Sequence, residues 1–302
     1  MNIPAALDNL HPSIAPDTVT IVVGGELIHA GPCADERFNI MSVTKAATCT
    51  VAGHLVTQGK CTLDDPVAKW IDGFDDRYPA VTLRHLLTMT SGYNAKGGTY
   101  GVDECSDGAI DFLDAADPVF DPGTMWHYHD DALRLLTVAL PNIGGESLDA
   151  MLRKIVPTFT DFEWIDYHGN GRGNDAGSGI LTSARALSDF GRYWCAGASG
   201  VDPVFVADAT RPQSAHLPEY RGPLYRGLGG SDGGAAMGYL WRSNSNGCFP
   251  ALPPDAFWIS GWNHNRLFVV PSKQLVVTRT GADGYIDNTI GKWDAFFAAL
   301  LN

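Results

Sequence analysis

The alternation of apolar and polar residues near the start of the chain predicts a β-hairpin. Two runs rich in β-branched residues, 18–23 and 26–30, flank the pair Gly24-Gly25. Strand-like runs separated by a two-residue glycine turn are typical of a hairpin, because glycine adopts the positive φ angles that tight turns require. We therefore expect residues 18–30 to form two neighbouring antiparallel strands.

The next segment predicts a helix that is buried on nearly all sides. From Ser42 to about Gln58 the residues are small and almost uncharged, and Gly59 is placed to end the helix. The spacing of apolar positions predicts further helices over the ranges 63–71, 82–90, 132–140, 147–155 and 184–195. Between them, the polar segment 97–122 is predicted to be a long loop with a short helix over 109–116.

The C-terminal part changes from helical to strand-like patterns. Strands are predicted over 238–242, 257–262, 266–270 and 274–280, followed by an amphipathic helix over 288–301. If the N-terminal hairpin joins these strands, one antiparallel sheet is flanked by helices and carries an inserted helical lobe. We therefore predict an α/β (α+β) fold. Its sheet domain is discontinuous, 1–66 and 177–302, its second domain, 67–176, is mainly helical, and the active site lies between them.

The composition disfavours several classes of protein. Lysine plus arginine number 21 against 34 aspartate plus glutamate in 302 residues, which gives a formal net charge of -13. Such a surface repels nucleic acid and anionic membranes, so we expect neither as a partner. The sequence has no apolar run near the length of about 20 residues that a membrane span needs, and its start lacks the pattern of a secretory signal. We therefore expect a cytoplasmic protein.

The cysteine and histidine residues give no pattern typical of a metal site. The six cysteines show no Cys-x-x-Cys spacing, which disfavours a zinc ribbon and a thioredoxin-type pair. His129 and His264 have no partner at a spacing typical of metal ligands. We therefore expect neither a metal nor a cofactor.

Ser42 and Lys45 form the first candidate for catalytic chemistry. Their spacing, Ser-x-x-Lys, places both side chains on one face of a helix, one turn apart. A lysine in this position can activate a serine nucleophile. A serine at a helix start is also an ordinary N-cap, and the motif arises by chance on the order of once in a chain of this length. The pair alone therefore does not decide the function.

Four further segments match one family of hydrolases in order and spacing. They are 59–67, 81–93, the run Pro122-Gly123-Thr124 followed by Tyr128-His129-Asp130, and 179–187. Together with the Ser-x-x-Lys pair, they resemble the penicillin-recognising serine hydrolase superfamily. The similar branch contains class C β-lactamases, D-aminopeptidases, family VIII esterases and 6-aminohexanoate-dimer hydrolases, and the resemblance spans roughly residues 38–281.

This resemblance implies a β-lactamase-like fold and a metal-independent mechanism through an acyl-enzyme. It implies that Ser42 is the nucleophile and that Lys45 and Tyr128 move its proton. It also implies an oxyanion hole made by the backbone N–H of Ser42 and a second N–H from a late strand, for which Asn265 is our candidate.

Two positions depart from the pattern of the relatives. Asp130 stands where asparagine is usual, and Trp262 opens a segment in which relatives carry Lys-Thr-Gly or His-Gly-Gly. Some esterases of this branch also have tryptophan there, which favours ester or simple amide cleavage over efficient β-lactam hydrolysis. We expect Asp130 beside the substrate amide or the Lys45 amine and Trp262 at the substrate, although plain packing would also explain the tryptophan.

The sequence leaves the identity of the base open. Lys45 accepts a proton only when it is neutral, and neutralising an ordinary lysine at pH 7 costs about 4 to 5 kcal/mol unless burial lowers its pKa. Tyr128 can relay the proton or, as a phenolate, take it directly. The carboxylate of Asp130 favours the protonated form of Lys45, so either Asp130 is partly neutral or Tyr128 is the main base.

Two other functions compete with this interpretation. The segment 229–233 satisfies Gly-x-Ser-x-Gly, but it lacks the preceding strand and following helix of an α/β-hydrolase. A non-catalytic relative that binds a peptide-like or acyl ligand, or a weak β-lactamase or D-aminopeptidase, is the alternative to an esterase or amidase. For the enzyme we expect a small-molecule amide or ester substrate, and a homodimer is one expected assembly.

Overall fold

Helices and strands follow one another in the computed structural model, which describes residues 1–72, 80–93, 118–167, 173–220, 236–284 and 289–302. The helices are α1 Ile3–Asp8, α2 Thr44–Thr57, α3 Leu83–Leu87, α4 Asp130–Gly144, α5 Leu148–Ile155, α6 Ala184–Cys195, α7 Pro203–Thr210 and α8 Thr289–Leu301. The strands are β1 Val19–Val23, β2 Glu26–Ala30, β3 Arg37–Asn39, β4 Phe162–Trp164, β5 Ile180–Ser183, β6 Arg242–Ser243, β7 Phe257–Gly261, β8 Asn265–Val270 and β9 Leu275–Arg279. The predicted helix over 109–116 and the serine motif at 229–233 lie outside the described residues.

A six-stranded antiparallel sheet joins the early and late parts of the chain. Its strand order is β2-β1-β9-β8-β7-β6, so the N-terminal hairpin pairs with β9. Strands β8 and β9 are buried along their whole length and are rich in Leu and Val, as expected for strands that are covered on both faces. The hairpin and its union with the late strands are therefore confirmed.

Helices cover both faces of this sheet. On one face, beneath α1 and α8, the ring of Phe268 packs against Trp258, Trp293 and Phe297 at centroid distances of 6.5, 5.1 and 4.8 Å. On the other face, α2 and α6 share a core that continues into α4 and α5. Large aromatic side chains remove on the order of 150–250 Å² each from water, so these layers stabilise the sheet on both sides. The predicted α/β layering is confirmed.

The range 67–176 is mainly helical but also contains a strand. It holds α3, α4 and α5, and its strand β4 pairs with β5, which in turn pairs with β3 in a separate three-stranded antiparallel sheet. This second sheet was not predicted. The core around α2 runs without interruption into this range, and the division into two domains stays a prediction. None of the helices in the described ranges combines the length and apolar character needed to cross a lipid bilayer.

The predicted N-cap role of Ser42 was wrong. Ser42 lies in a 3₁₀ turn, Met41–Val43, and α2 begins directly after this turn, at Thr44, without a side-chain cap. The hydroxyl is therefore directed away from the helix backbone and is available for contacts with other side chains. The end of α2 is as predicted, since Gly59 follows its last turn with a φ of 68°.

Three further elements differ from the predictions. The predicted helix over 63–71 is only a 3₁₀ turn, Val67–Trp70. Within 238–242 only Arg242 enters a strand, because Gly238 N–H donates to Trp241 O at 2.8 Å and closes a tight turn. Helix α7 was not predicted, although the Asp202 side chain caps it and proline occupies its first turn. Its apolar residues lie in a stretch rich in glycine and proline, which masked the helical pattern.

The connection between β7 and β8 is strained. Asn263 and His264 have φ angles of 60° and 61°. The left-handed region costs an L-residue roughly 1–2 kcal/mol, less for asparagine, whose short polar side chain tolerates it. Such strain persists only where the surrounding structure holds it in place.

The Asn265 side chain holds this connection in place. Its Nδ2 donates to Trp262 O at 2.6 Å and to Asn39 O at 3.2 Å, and its Oδ1 accepts from Gly281 N–H at 2.9 Å. One buried amide therefore joins the β7–β8 connection to the end of β3 and to the segment after β9. Loss of these bonds would leave buried polar groups without partners, which costs about 1–3 kcal/mol per group.

His264 is a neutral, buried imidazole. Its side chain is 2% exposed, and within the described residues neither ring nitrogen has a hydrogen-bond partner. Burial, together with the positive charges of Arg266 and Arg279, lowers the pKa of His264 to about 3. The unfolded chain therefore binds a proton at this residue below about pH 6.5, whereas the folded chain does not.

Replacing His264 by asparagine should flatten the dependence of stability on pH. Between pH 6.5 and 4 the wild-type chain should lose up to about 1.4 kcal/mol of unfolding free energy per pH unit from this residue alone. Urea denaturation of wild type and His264→Asn at several values in this interval measures the two slopes. The control is His216→Asn, which removes an exposed imidazole and should keep the wild-type slope. Equal slopes for wild type and His264→Asn would contradict the buried neutral state.

Candidate active site

Ser42 is held in a short turn between a strand and a buried helix. Ile40 N–H donates to Ile180 O of β5 at 2.9 Å, and Met41 N–H donates to Asn39 Oδ1 at 2.8 Å. Met41 has a φ of 52°, which is uncommon for a residue with a side chain. The position of the Ser42 hydroxyl is therefore set by the backbone on both sides of the turn.

Lys45 lies one turn into α2 and is almost completely buried, with an exposed fraction of 1%. Its Nζ lies 2.7 Å from Ser42 Oγ, 2.8 Å from Gly177 O and 2.6 Å from Asp130 Oδ1. A protonated lysine carries three N–H donors, and three acceptors surround this one. The geometry is therefore that of an ammonium group with every donor satisfied.

The charge of Lys45 is balanced by Asp130. Burial lowers the pKa of Lys45, but the Asp130 carboxylate and the Tyr128 hydroxyl outweigh it and raise the pKa above its ordinary value. Asp130 is the first residue of α4, where the positive end of the helix dipole also favours a negative charge. The buried Lys45 and the half-buried Asp130 therefore form an ion pair beside the serine.

Gly177 supplies the third acceptor, and the Asp175 side chain holds the loop that carries it. Asp175 Oδ1 accepts from Gly177 N–H at 2.7 Å and from Ser178 N–H at 3.2 Å, and Asp175 itself is buried. Our sequence analysis missed this loop as part of the site. A backbone carbonyl has no signature in the sequence, and a single aspartate before a Gly-Ser-Gly run does not identify one.

Tyr128 lies between the serine and two cations. Its hydroxyl hydrogen-bonds with the Ser42 side chain, Lys45 Nζ lies 5.4 Å from the ring centroid, and Arg242 Cζ lies 5.8 Å from it. Burial raises the pKa of the Tyr128 phenol above its ordinary value, although Lys45 and Arg242 act to lower it. The resting site therefore contains a phenol and an ammonium group around one serine hydroxyl.

The extended chain just before α4 is hydrogen-bonded to other segments on both sides of Trp126 and His127. On one side of it, His127 N–H donates to Met89 O at 2.9 Å. Trp126 N–H donates to Pro218 O at 2.9 Å and Trp126 O accepts from Tyr220 N–H at 2.8 Å. Backbone hydrogen bonds thus fix the two residues before Tyr128, and with them the backbone position from which its ring extends.

Strand β7 passes very close to Ser42. A Cβ atom on Gly261 would lie 2.3 Å from Ile40 O and 3.2 Å from Ser42 N. Only glycine therefore allows this approach. Trp262 follows directly and is 45% exposed, so it is a surface residue beside the serine rather than part of the core.

Asn265 lies on the far side of this connection. Its backbone N–H is directed to Trp262 O at 3.4 Å, and its side chain forms the clamp described above. Its role in an oxyanion hole stays a prediction that no contact in the structure tests.

The structure brings four of the six predicted side chains together. Ser42, Lys45, Tyr128 and Asp130 form one connected cluster, Trp262 lies beside it, and Asn265 lies behind. Among the described residues, no three His, Cys, Asp or Glu side chains are close enough together to hold a metal ion. The connected cluster places a hydroxyl, Ser42, next to two groups that can carry a proton, Lys45 and Tyr128.

Comparison with known proteins gives the same family as the motifs. The sequence model of the Beta-lactamase family matches residues 14–281. Esterase EstB of Burkholderia gladioli is 34% identical over 143 residues, which cover 40% of this chain and 36% of EstB. Across such curated relatives the chain aligns with between 33% and 56% of their length.

Solved structures support the same fold. A β-lactamase/D-alanine carboxypeptidase from Yersinia pestis, in complex with citrate, has a TM-score of 0.70 at 18% identity and covers 98% of both chains. A family VIII carboxylesterase has a TM-score of 0.69 at 17% identity, covering 93% of this chain and 90% of that one. These likenesses confirm the predicted β-lactamase-like fold. The match over residues 14–281 establishes that the chain belongs to the Beta-lactamase family.

Proposed function

We propose that the chain is a serine hydrolase that cleaves a small ester or amide through an acyl-enzyme on Ser42. The observation that carries this proposal is the position of Ser42 Oγ, which contacts both Lys45 Nζ at 2.7 Å and the Tyr128 hydroxyl. A serine becomes a nucleophile when a neighbouring group takes its proton as it attacks. Both candidate groups for this step are in direct contact with it.

The ion pair favours Tyr128 over Lys45 as the group that takes the serine proton in this proposal. Lys45 is held as an ammonium group by Asp130, so the resting site must first release one proton from the coupled pair Lys45 and Tyr128. With Lys45 still charged, the released proton is that of the phenol. The Tyr128 phenolate then accepts the Ser42 proton while Oγ bonds to the substrate carbonyl carbon.

The remaining steps follow from the same groups. The carbonyl electrons move onto oxygen, and the resulting oxyanion accepts from Ser42 N–H and from a second backbone N–H, for which Asn265 stays the candidate. Each such donor contributes about 3–4 kcal/mol to the transition state. Tyr128 gives its proton to the leaving alkoxide or amine, and the carbon–heteroatom bond breaks. Water, activated by the same phenolate, then hydrolyses the acyl-enzyme.

Two observations favour esters of modest size as substrates. Trp262 presents an exposed indole one residue after Gly261, whose backbone approaches Ser42, and such a side chain suits an apolar acyl or alcohol group. The similarity to EstB, a protein named as an esterase, points in the same direction. Short-chain p-nitrophenyl esters are therefore the first substrates to test, with linear amides, D-amino-acid amides and a cephalosporin as further members of the panel.

Replacing Ser42 by alanine should abolish covalent labelling. Wild type should gain one adduct mass with a fluorophosphonate and hydrolyse p-nitrophenyl butyrate, whereas Ser42→Ala should lose activity on the order of 10³-fold or more. Intact-mass spectrometry and absorbance assays measure both effects. The control is Ser13→Ala, at an exposed serine, which should behave as wild type. Turnover that survives in Ser42→Ala would end the proposal.

Replacing Asp130 by asparagine should move the pH profile of acylation to lower pH. Asp130 raises the pKa of both Lys45 and Tyr128, so without its charge the pair loses a proton more readily. The rise of the acylation rate with pH should begin about one pH unit lower. Pre-steady-state release of p-nitrophenol between pH 6 and 10 measures this.

A matched control for Asp130 is Asp149→Asn, which removes a carboxylate in the first turn of α5 that pairs with Arg153. It should leave the profile unchanged. A folded Asp130→Asn variant that is equally slow at every pH would contradict the scheme, because it would make Asp130 itself the proton acceptor.

Replacing Trp262 by alanine should weaken binding of apolar esters. Loss of the indole should raise KM for p-nitrophenyl butyrate by about three- to tenfold with little change in kcat. The control Ile28→Ala removes another exposed apolar side chain, on β2, and should leave KM unchanged. Unchanged kinetics in Trp262→Ala would contradict a role of Trp262 in substrate binding.

A further inference from the structure

Arg242 is a buried cation next to the site. It opens the edge strand β6, its side chain is 5% exposed, and its Cζ lies 5.8 Å from the centroid of the Tyr128 ring. A guanidinium within about 6 Å of an aromatic face is attracted by the ring and gains strength when water is excluded. None of the steps derived above uses this side chain.

The backbone around Arg242 is held closely. Arg242 pairs with Trp258 of β7, and Ser243 N–H donates to Ala236 O at 3.0 Å. In the turn just before it, Leu240 N–H donates to Leu87 O at 2.9 Å, which connects the strand to the end of α3. The sheet and the helical segment therefore fix the backbone position from which the Arg242 side chain reaches the ring.

The charged and polar groups that face Tyr128 come from four elements. Lys45 of α2 and Arg242 of β6 bring positive charge, Asp130 of α4 brings negative charge, and the turn before α2 brings the Ser42 hydroxyl. Among these groups Lys45 lowers the pKa of the phenol most, and Asp130, which lies 2.6 Å from Lys45, opposes it. Arg242 adds a smaller effect in the same direction as Lys45.

We propose that Arg242 is a positioning residue for acylation, which holds the Tyr128 ring and stabilises its phenolate while the Ser42 proton is removed. This inference rests on the proposed hydrolase function and deepens it. In the step, the phenolate oxygen gains the Ser42 proton as Oγ bonds to the acyl carbon. Arg242 neither gains nor loses a proton, and its charge acts through the ring and its oxygen.

The experiment compares Arg242→Gln and Arg242→Lys with wild type. Acylation by p-nitrophenyl acetate is followed by stopped flow between pH 6 and 10. Arg242→Gln should acylate about tenfold more slowly at pH 7.5, with its profile moved up by about one pH unit, and should recover near pH 10. Arg242→Lys, which keeps the charge, should recover most of the rate at pH 7.5.

A second readout does not depend on turnover. Tyrosine labelled with ¹³C at Cζ reports the charge of each phenol by NMR, and Tyr128→Phe assigns the signal of Tyr128. In Arg242→Gln the Tyr128 signal should begin to titrate about one pH unit higher than in wild type. The control Arg211→Gln removes an exposed arginine that pairs with Asp208 at the end of α7 and should change neither readout.

Two results would overturn the role of Arg242. One is an equal loss of acylation rate at every pH in Arg242→Gln, which would indicate that Arg242 supports the structure without stabilising the phenolate. The other is an unchanged Tyr128 titration with a higher KM for anionic esters alone, which makes Arg242 a substrate-binding residue. A wild-type chain that forms no adduct on Ser42 overturns the hydrolase proposal instead, so the two failures are distinguishable.

Discussion

A buried ammonium group is the constraint on which the site depends. Taking a charge out of water costs several kcal/mol unless its hydrogen bonds to water are replaced. Acceptors in Ser42, Gly177 and Asp130 surround the Lys45 ammonium group in place of water. These acceptors come from the turn before α2, the loop before β5 and the start of α4. Displacement of any one of them would leave a buried donor unsatisfied. The place of the serine hydroxyl is thus determined by distant parts of the chain together.

The same charge balance separates the roles of the lysine and the tyrosine. An ammonium group paired with a carboxylate has no lone pair to accept a proton, so in the proposed mechanism Lys45 organises the site and Tyr128 moves the proton. The glycine at the end of β7 meets a different requirement, since it lets the strand approach the serine backbone without a Cβ in the way. The charge of Lys45 and the close packing of Gly261 thus both act on the position of Ser42.

The sequence was sufficient for features that depend on local order and spacing. Ser42 and Lys45 are three residues apart, which is one helical turn, and Tyr128 lies in a run that matches the pattern of relatives. The strands are rich in β-branched residues, so their composition predicts them. Features that depend on contacts between distant residues were missed. The Gly177 carbonyl carries no residue signature, and the left-handed Met41 that moves Ser42 off the helix is not foreseen by any propensity. Arg242 is one arginine among many until the strand order places it by the tyrosine.

The strand order also bears on when the nucleophile is completed during synthesis. Ile40, two residues before Ser42, bonds to β5, and the glycine that passes beside Ser42 belongs to β7, both of which are made long after α2. The N-terminal hairpin pairs with β9, later still. Contacts between residues that are far apart in the sequence form slowly, because ordering the long chain between them costs entropy before the contacts can stabilise it. A nascent chain on the ribosome therefore carries the serine and the lysine for most of translation without the surroundings that would make them reactive.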